Sequence, residues 1–154
     1  MSFASLQNKI SKAWSLRYVD SRKMGALGNE LLAAGLAANN STELAYGKLL
    51  FAVSNFLNSK DEHVLDYLLD AYAQFEKDAD VHGLARTAAF LASVYDNYGA
   101  YETALSYVQQ GLRFVQDVED KELESDLYAN AGLIYTRVSD LENAERSFLK
   151  SLSM

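Results

Sequence analysis

This sequence predicts an all-α chain of antiparallel helix pairs stacked one on another, and three observations support that. Proline is absent, only 8 of 154 residues are glycine, and Ala, Leu, Glu, Lys and Asp are common. That balance favours helix over strand. A register of small and large residues also recurs every 40 positions. Gly132, Tyr135, Ala144, Phe148 and Leu152 fall on Ala92, Tyr95, Ala104, Val108 and Leu112, then on Ala52, Asn55, Val64, Leu68 and Tyr72. Met24 and Leu32 continue two of those columns one step earlier. Self-similarity of this kind marks an array in which each helix pair buries its apolar face on the next. Finally, polar breaks carrying helix-start signals separate the periodic stretches. About four pairs are expected, near 3–38, 42–77, 81–117 and 121–154, forming one repeat domain over 1–154.

The elements follow in order. Leu6, Ile10, Ala13, Trp14 and Val19 repeat at helical spacing and predict a helix over 3–18, ended by Asp20-Ser21. Met24, Leu27, Leu31, Leu32 and Leu36 predict a second helix over 21–38, in which Gly25 and Gly28 allow close packing. Asn40 with Glu43 three residues on is a capping-box-like start. The helix that follows, 42–57, is apolar nearly all round, so it is buried on several sides or presents a binding face. Ser59-x-x-Glu62 reads as a capping box opening a helix over 60–77, with Leu65, Leu68, Leu69, Tyr72 and Phe75 on its apolar face. Asp80 is the expected N-cap of a helix over 81–98. Helices over 101–117, 121–138 and 140–154 complete the chain, the last opened by Ser139-x-x-Glu142.

Charge and composition exclude several classes of function. The net charge is −7, split as +3 over residues 1–40 (five Lys/Arg, two acids) and −10 over 41–154 (nine Lys/Arg, nineteen acids). An acidic body lacks the clustered cations that phosphate neutralisation requires, so nucleic acid is not the expected partner. Cysteine is absent, which removes disulfides and thiolate metal sites. No apolar stretch of about 18 residues exists, and the N-terminal residues lack a signal-peptide core. No membrane insertion is expected, and a cytoplasmic location is.

Catalytic and metal-binding patterns are missing as well. The histidines are His63 and His82 alone, both expected at the surface, with no HExxH spacing. No G-x-S-x-G occurs, and no phosphate loop, which needs a strand-to-helix turn ending in GK[ST]. Asp78-Ala-Asp80 opens like a calcium loop, but its fifth and twelfth positions are His82 and Ala89. The chain is therefore expected to be no enzyme, with no cofactor and no metal. Tyr72, Tyr95 and Tyr135 occupy repeat columns that pack between helices, so they are expected in the core.

The segments AFLASVYDNYGAYETALSYVQQGL and ANAGLIYTRVSDLENAERSFLKSL resemble tetratricopeptide (TPR) repeats, in the order small, Tyr, Ala and a large apolar residue. The resemblance covers roughly residues 42–154 and, more weakly, 4–40. It departs at the family's tryptophan column, which holds Lys48, Ala88 and Tyr128, and at the missing terminal proline. It implies a right-handed superhelix whose inner wall comes from the first helix of each pair. That wall would hold Tyr46, Leu49, Val53, Arg86, Ala89, Ser93, Asn97, Asp126, Asn130, Leu133 and Arg137. Arg86 and Arg137 would be its cations, unless they pair with local acids such as Asp96 and Asp126. The clamp with which some TPR proteins hold a C-terminal carboxylate is not present, because the matching columns hold Leu49, Val53, Phe90, Asp126 and Asn130. The opening AWSLRYVDSRKMGALGNELLAAG is also similar to bacterial sensory TPR regions that precede GGDEF diguanylate cyclase domains. The resemblance thus implies a non-catalytic protein- or peptide-binding module, the N-terminal regulatory segment of a bacterial signalling protein. Its expected partner is a peptide segment of a downstream domain. A ligand-free oligomerisation scaffold is the alternative. Phe148, Leu149 and Leu152 lack a next repeat, so the chain is expected to be a fragment of a longer one or to oligomerise through that end.

Overall fold

The computed structural model describes residues 2–154. Among them are eight helices and no strand: α1 Phe3–Trp14, α2 Ser21–Ala38, α3 Ser41–Leu57, α4 Val64–Asp78, α5 Val81–Asn97, α6 Tyr101–Val115, α7 Lys121–Arg137 and α8 Leu141–Leu152. The chain divides into two compact units, Met1–Asp78 and Ala79–Met154. Within each unit, consecutive helices pack on one another.

Five of the seven breaks between helices share one geometry. Asn39, Ser59, Ala79, Gly99 and Ser139 all have left-handed φ, between 51° and 78°. At four of them, the N–H of the next residue donates to the carbonyl five residues back. These bonds are Asn40 to Gly35 and Lys60 to Asn55 at 2.8 Å, and Ala100 to Tyr95 and Asp140 to Tyr135 at 2.9 Å. This closes the preceding helix by satisfying a terminal carbonyl. After Asn39, Ala79 and Ser139 a side-chain cap then opens the next helix, whereas Ala100 before α6 makes none. Asn40 Oδ1 accepts from Thr42 and Glu43 N–H, and Asp80 Oδ1 from Gly83 N–H.

That geometry corrects two of the expected starts. Ser59 does not cap α4, because its left-handed backbone ends α3. Asn55 Nδ2 also donates to the Glu62 carbonyl at 2.8 Å, which holds the following residues out of helix until Val64. Ser139 is likewise a helix stop, and Asp140 caps α8 through Asn143 N–H at 3.3 Å. The first helix also stops earlier than expected, at Trp14, and Val19 is 83% exposed rather than part of the apolar stripe.

In the first unit, α2 packs against α3 with the two backbones almost touching. A Cβ placed on Gly28 would lie 2.8 Å from Phe51 N, and one on Gly47 would lie 2.8 Å from Leu32 N. Both glycines are required by that approach. Leu6, Ile10, Ala13 and Trp14 are the buried face of α1, and Val64, Leu68, Ala71, Tyr72 and Phe75 that of α4. Beyond α1, the Arg17 guanidinium lies over the rings of Trp14 and Tyr18 and donates to the Trp14 carbonyl at 3.0 Å.

In the second unit, α5 pairs with α6 and α7 with α8, and α7 also packs on α5 and α6. One buried cluster joins Ala85, Ala89, Val115, Leu123 and Leu127; another joins Ala92, Ala104, Val108, Ala131 and Ile134. Tyr95 and Tyr135 pack against the second cluster, and Tyr95 stacks on Tyr107 at 5.7 Å. Gly132 seats the Phe148 ring: a Cβ there would be 2.6 Å from Phe148 Cε1.

Candidate functional site: the α5–α7 face

Residues proposed for an inner wall divide sharply by exposure. Tyr46, Leu49 and Val53 on α3 are fully buried. The Tyr46 ring lies 4.6 Å from that of Phe75, and its hydroxyl accepts from Gln7 Nε2 at 3.2 Å. These three side chains have no surface to present to a ligand. They sit on a helix that is apolar nearly all round, and burial on several sides is the outcome for it.

In the second unit, the residues from α5 and α7 meet along one seam. Asn130 Nδ2 on α7 donates to the Ala89 carbonyl on α5 at 3.1 Å, and Ser93 Oγ donates to that same carbonyl at 3.3 Å. Two turns further along α7, Arg137 Nε donates to Asp96 Oδ2 at 3.0 Å and lies 2.8 Å from Oδ1. The Asp96 side chain is 8% exposed and that of Arg137 47%. A nearly buried carboxylate therefore anchors the guanidinium through Nε, and about half of the arginine side chain stays exposed. Leu133, one turn before Arg137 on the same helix, is 48% exposed, and Asn97 is exposed at the end of α5. Asp126 is half-buried.

Arg86 is buried at the other end of the seam. Nearby, His82 Nε2 and Asp120 Oδ2 are 2.9 Å apart, joining the start of α5 to the residue that caps α7. The Asp120 carboxyl is held below the usual carboxylate range. The His82 hydrogen bond is the main cause; the Leu123 N–H bond and the charges of His82 and Arg86 add to it, and burial opposes it. His82 is thus tied into the structure rather than standing at the open surface.

The seam's ion pair, its amide bridge and the His82–Asp120 contact link residues 41, 41 and 38 positions apart. No local pattern predicts such pairs singly. They form because α5 and α7 pack on one another. Among the described residues no group of three or more His, Asp or Glu side chains is placed to hold a metal ion. No helix among them is long and apolar enough to cross a membrane. No family model, curated protein or solved structure matches the chain.

Proposed function

We propose that the chain is a TPR-type, non-catalytic module that binds a protein or peptide segment on the α5–α7 face. The observation that carries this reading is Arg137, held through Nε by a nearly buried Asp96 while its side chain stays half-exposed beside exposed Leu133. An anchored guanidinium loses little freedom when it meets a carboxylate or peptide carbonyl, and its fork sets the direction of approach. Leu133 supplies an apolar contact one turn away, and Asn97 offers an amide donor and acceptor. Repeat architecture is supported by six of the eight helix starts, at 21, 41, 81, 101, 121 and 141, which fall on a 20-residue step that α1 and α4 leave. On this reading the module is the regulatory segment of a bacterial signalling protein, and the bound segment belongs to its downstream domain.

A photo-crosslinking residue at Leu133 tests the reading, with the same residue at exposed Ser106 on α6 as control. Cross-linking to a peptide segment at 133 but not at 106, lost in Arg137→Ala, is the expected result. Equal yields at both positions would overturn it. The alternative, an oligomerisation scaffold, has support in Leu141, Leu149 and Leu152, all exposed on α8. A concentration-dependent mass in sedimentation, abolished by Leu149→Glu with Leu152→Glu, would favour it.

A further inference from the structure

We propose that a cavity between α6, α7 and α8 binds a small organic acid, a carboxylate on a compact apolar body. The cavity is about 160 Å3 and lies wholly within the second unit, away from the α5–α7 seam. Each helix contributes one stripe. Leu105, Val108 and Leu112 come from α6 at i, i+3 and i+7, and with Ala131 from α7 they make an apolar floor. From α8 come Arg146, Ser147 and Lys150.

The α8 stripe sets the chemistry. Arg146 and Lys150 stand one turn apart on the same wall, in a chain of net charge −7, and no carboxylate lines the cavity. Like charges at this spacing oppose each other, so an anion between them relieves repulsion as well as gaining attraction. The Lys150 ammonium lies 5.3 Å from the centre of the Tyr128 ring and pairs with no carboxylate among the described residues. Among the described residues Arg146 makes one ion pair, Nη2 to Glu142 Oε1 at 3.0 Å, between two exposed side chains. Exposed pairs of this kind are worth only a few tenths of a kcal/mol, so an incoming carboxylate competes easily. Ser147 is nine-tenths buried, and its hydroxyl makes no hydrogen bond among the described residues. Buried hydroxyls are normally bonded, often to the carbonyl one turn back. This one belongs to a residue that lines the cavity.

Size limits the apolar part. An apolar cavity of about 150 Å3 accommodates a benzene-sized group, so one six-membered ring or one branched aliphatic chain fills the floor. The carboxylate then lies at the mouth, between Arg146 and Lys150. Two sources share this chemistry: a free aryl- or branched-chain carboxylic acid, and the C-terminal residue of a peptide.

Titration of the full chain followed by amide NMR shifts tests the proposal, with 3-phenylpropionate, its uncharged amide, and the peptide acetyl-Gly-Phe as free acid and as amide. The acid is expected to move resonances of α6 and α8 saturably and its amide to bind at least about tenfold more weakly, a loss of about 1.4 kcal/mol. Arg146→Gln with Lys150→Gln, both on exposed side chains, should weaken the acid by about tenfold or more. Arg137→Ala should leave it unchanged, which separates this site from the α5–α7 face. Binding of the free acid alone identifies a small molecule as the source, and tighter binding of the peptide acid identifies a C-terminus. Equal binding of acid and amide, no saturable shift on α6 and α8, or undiminished binding in the double variant would each overturn the proposal.

Discussion

The two units use glycine in opposite ways. In the first, Gly28 and Gly47 let α2 and α3 meet backbone to backbone, and the atoms a side chain would strike are main-chain nitrogens 2.8 Å away. In the second, Gly132 makes a seat for a ring, and a side chain there would strike Phe148 carbons at 2.6–2.7 Å. A main chain held in two helices cannot yield, whereas a partly exposed ring can rotate aside. Close approach alone therefore does not measure how intolerant a position is. What stands at the other side of the contact does.

The largest expected effect follows from that difference. Gly28→Leu should destabilise the first unit by about 3 kcal/mol or more, above the usual overpacking cost of about 1–3 kcal/mol expected for Gly132→Leu. Trp14 is the chain's single tryptophan and is buried in the first unit, so its fluorescence follows that unit during urea unfolding. Far-UV circular dichroism follows both units. An equal loss at both positions would remove the distinction between a backbone contact and a ring contact.

Ion pairs sharpen the comparison at smaller scale. Arg137→Ala strands a nearly buried carboxylate, and an unsatisfied polar group of that kind costs about 1–3 kcal/mol. The half-exposed arginine places the expected loss near 1 kcal/mol. Lys9 and Glu30 in the first unit are 3.8 Å apart with side chains 38% and 64% exposed. Lys9→Ala should change stability by less than about 0.5 kcal/mol. Similar losses in the two variants would show that Asp96 is better hydrated than its position implies.

Most helix positions were legible in the sequence because apolar spacing and polar breaks agree there, as at Asn39-Asn40 and Ala79-Asp80. The misread starts, Ser59 and Ser139, are residues that can either cap a helix or follow one. The choice is made by the carbonyl five residues before the next position, at Asn55 and Tyr135, which captures an N–H and turns the serine left-handed. Burial of Tyr46, Leu49 and Val53 was half legible: the all-round apolar pattern of α3 allowed either a core or a binding face. The Arg137–Asp96 pair was visible only as an alternative to a free cation. Arg146, Ser147 and Lys150 went unread, although their spacing puts them on one face of α8, because the cavity they line needs three helices.

Those turns give a third prediction. Asp140→Ala removes the α8 cap and should cost about 1 kcal/mol. Ser139→Gly relieves a left-handed residue with φ 62° and should stabilise by a few tenths to about 1 kcal/mol. Opposite signs at adjacent positions, read as opposite shifts of Tm, would establish the stop-then-cap order. A loss in both variants would restore Ser139 as the cap.

The smallest effect separates the two His–Asp contacts, one in each unit. His63 Nδ1, just before α4, and Asp66 Oδ2 in its first turn are 3.0 Å apart, with side chains 47% and 60% exposed. His82 and Asp120 are 2.9 Å apart and more enclosed, at 28% and 22%, and they join separate helices. The histidine hydrogen bond is the main cause holding both carboxyls below their ordinary value. A carboxyl lowered by folding contributes stability that is fully present above its unfolded value, about 3.9. That contribution fades as pH falls through the lower folded value. Asp120→Asn keeps a capping side chain for α7 and removes only the charge. Its Tm deficit against wild type should therefore be present at about pH 5, shrink below about pH 4, and vanish at lower pH. Asp66→Asn should show almost no deficit at any pH, because an exposed pair is screened by solvent. A deficit for Asp120→Asn that persists unchanged at about pH 2 would mean that the amide disturbs packing, and the His82–Asp120 contact would then have no electrostatic part in holding α5 to α7.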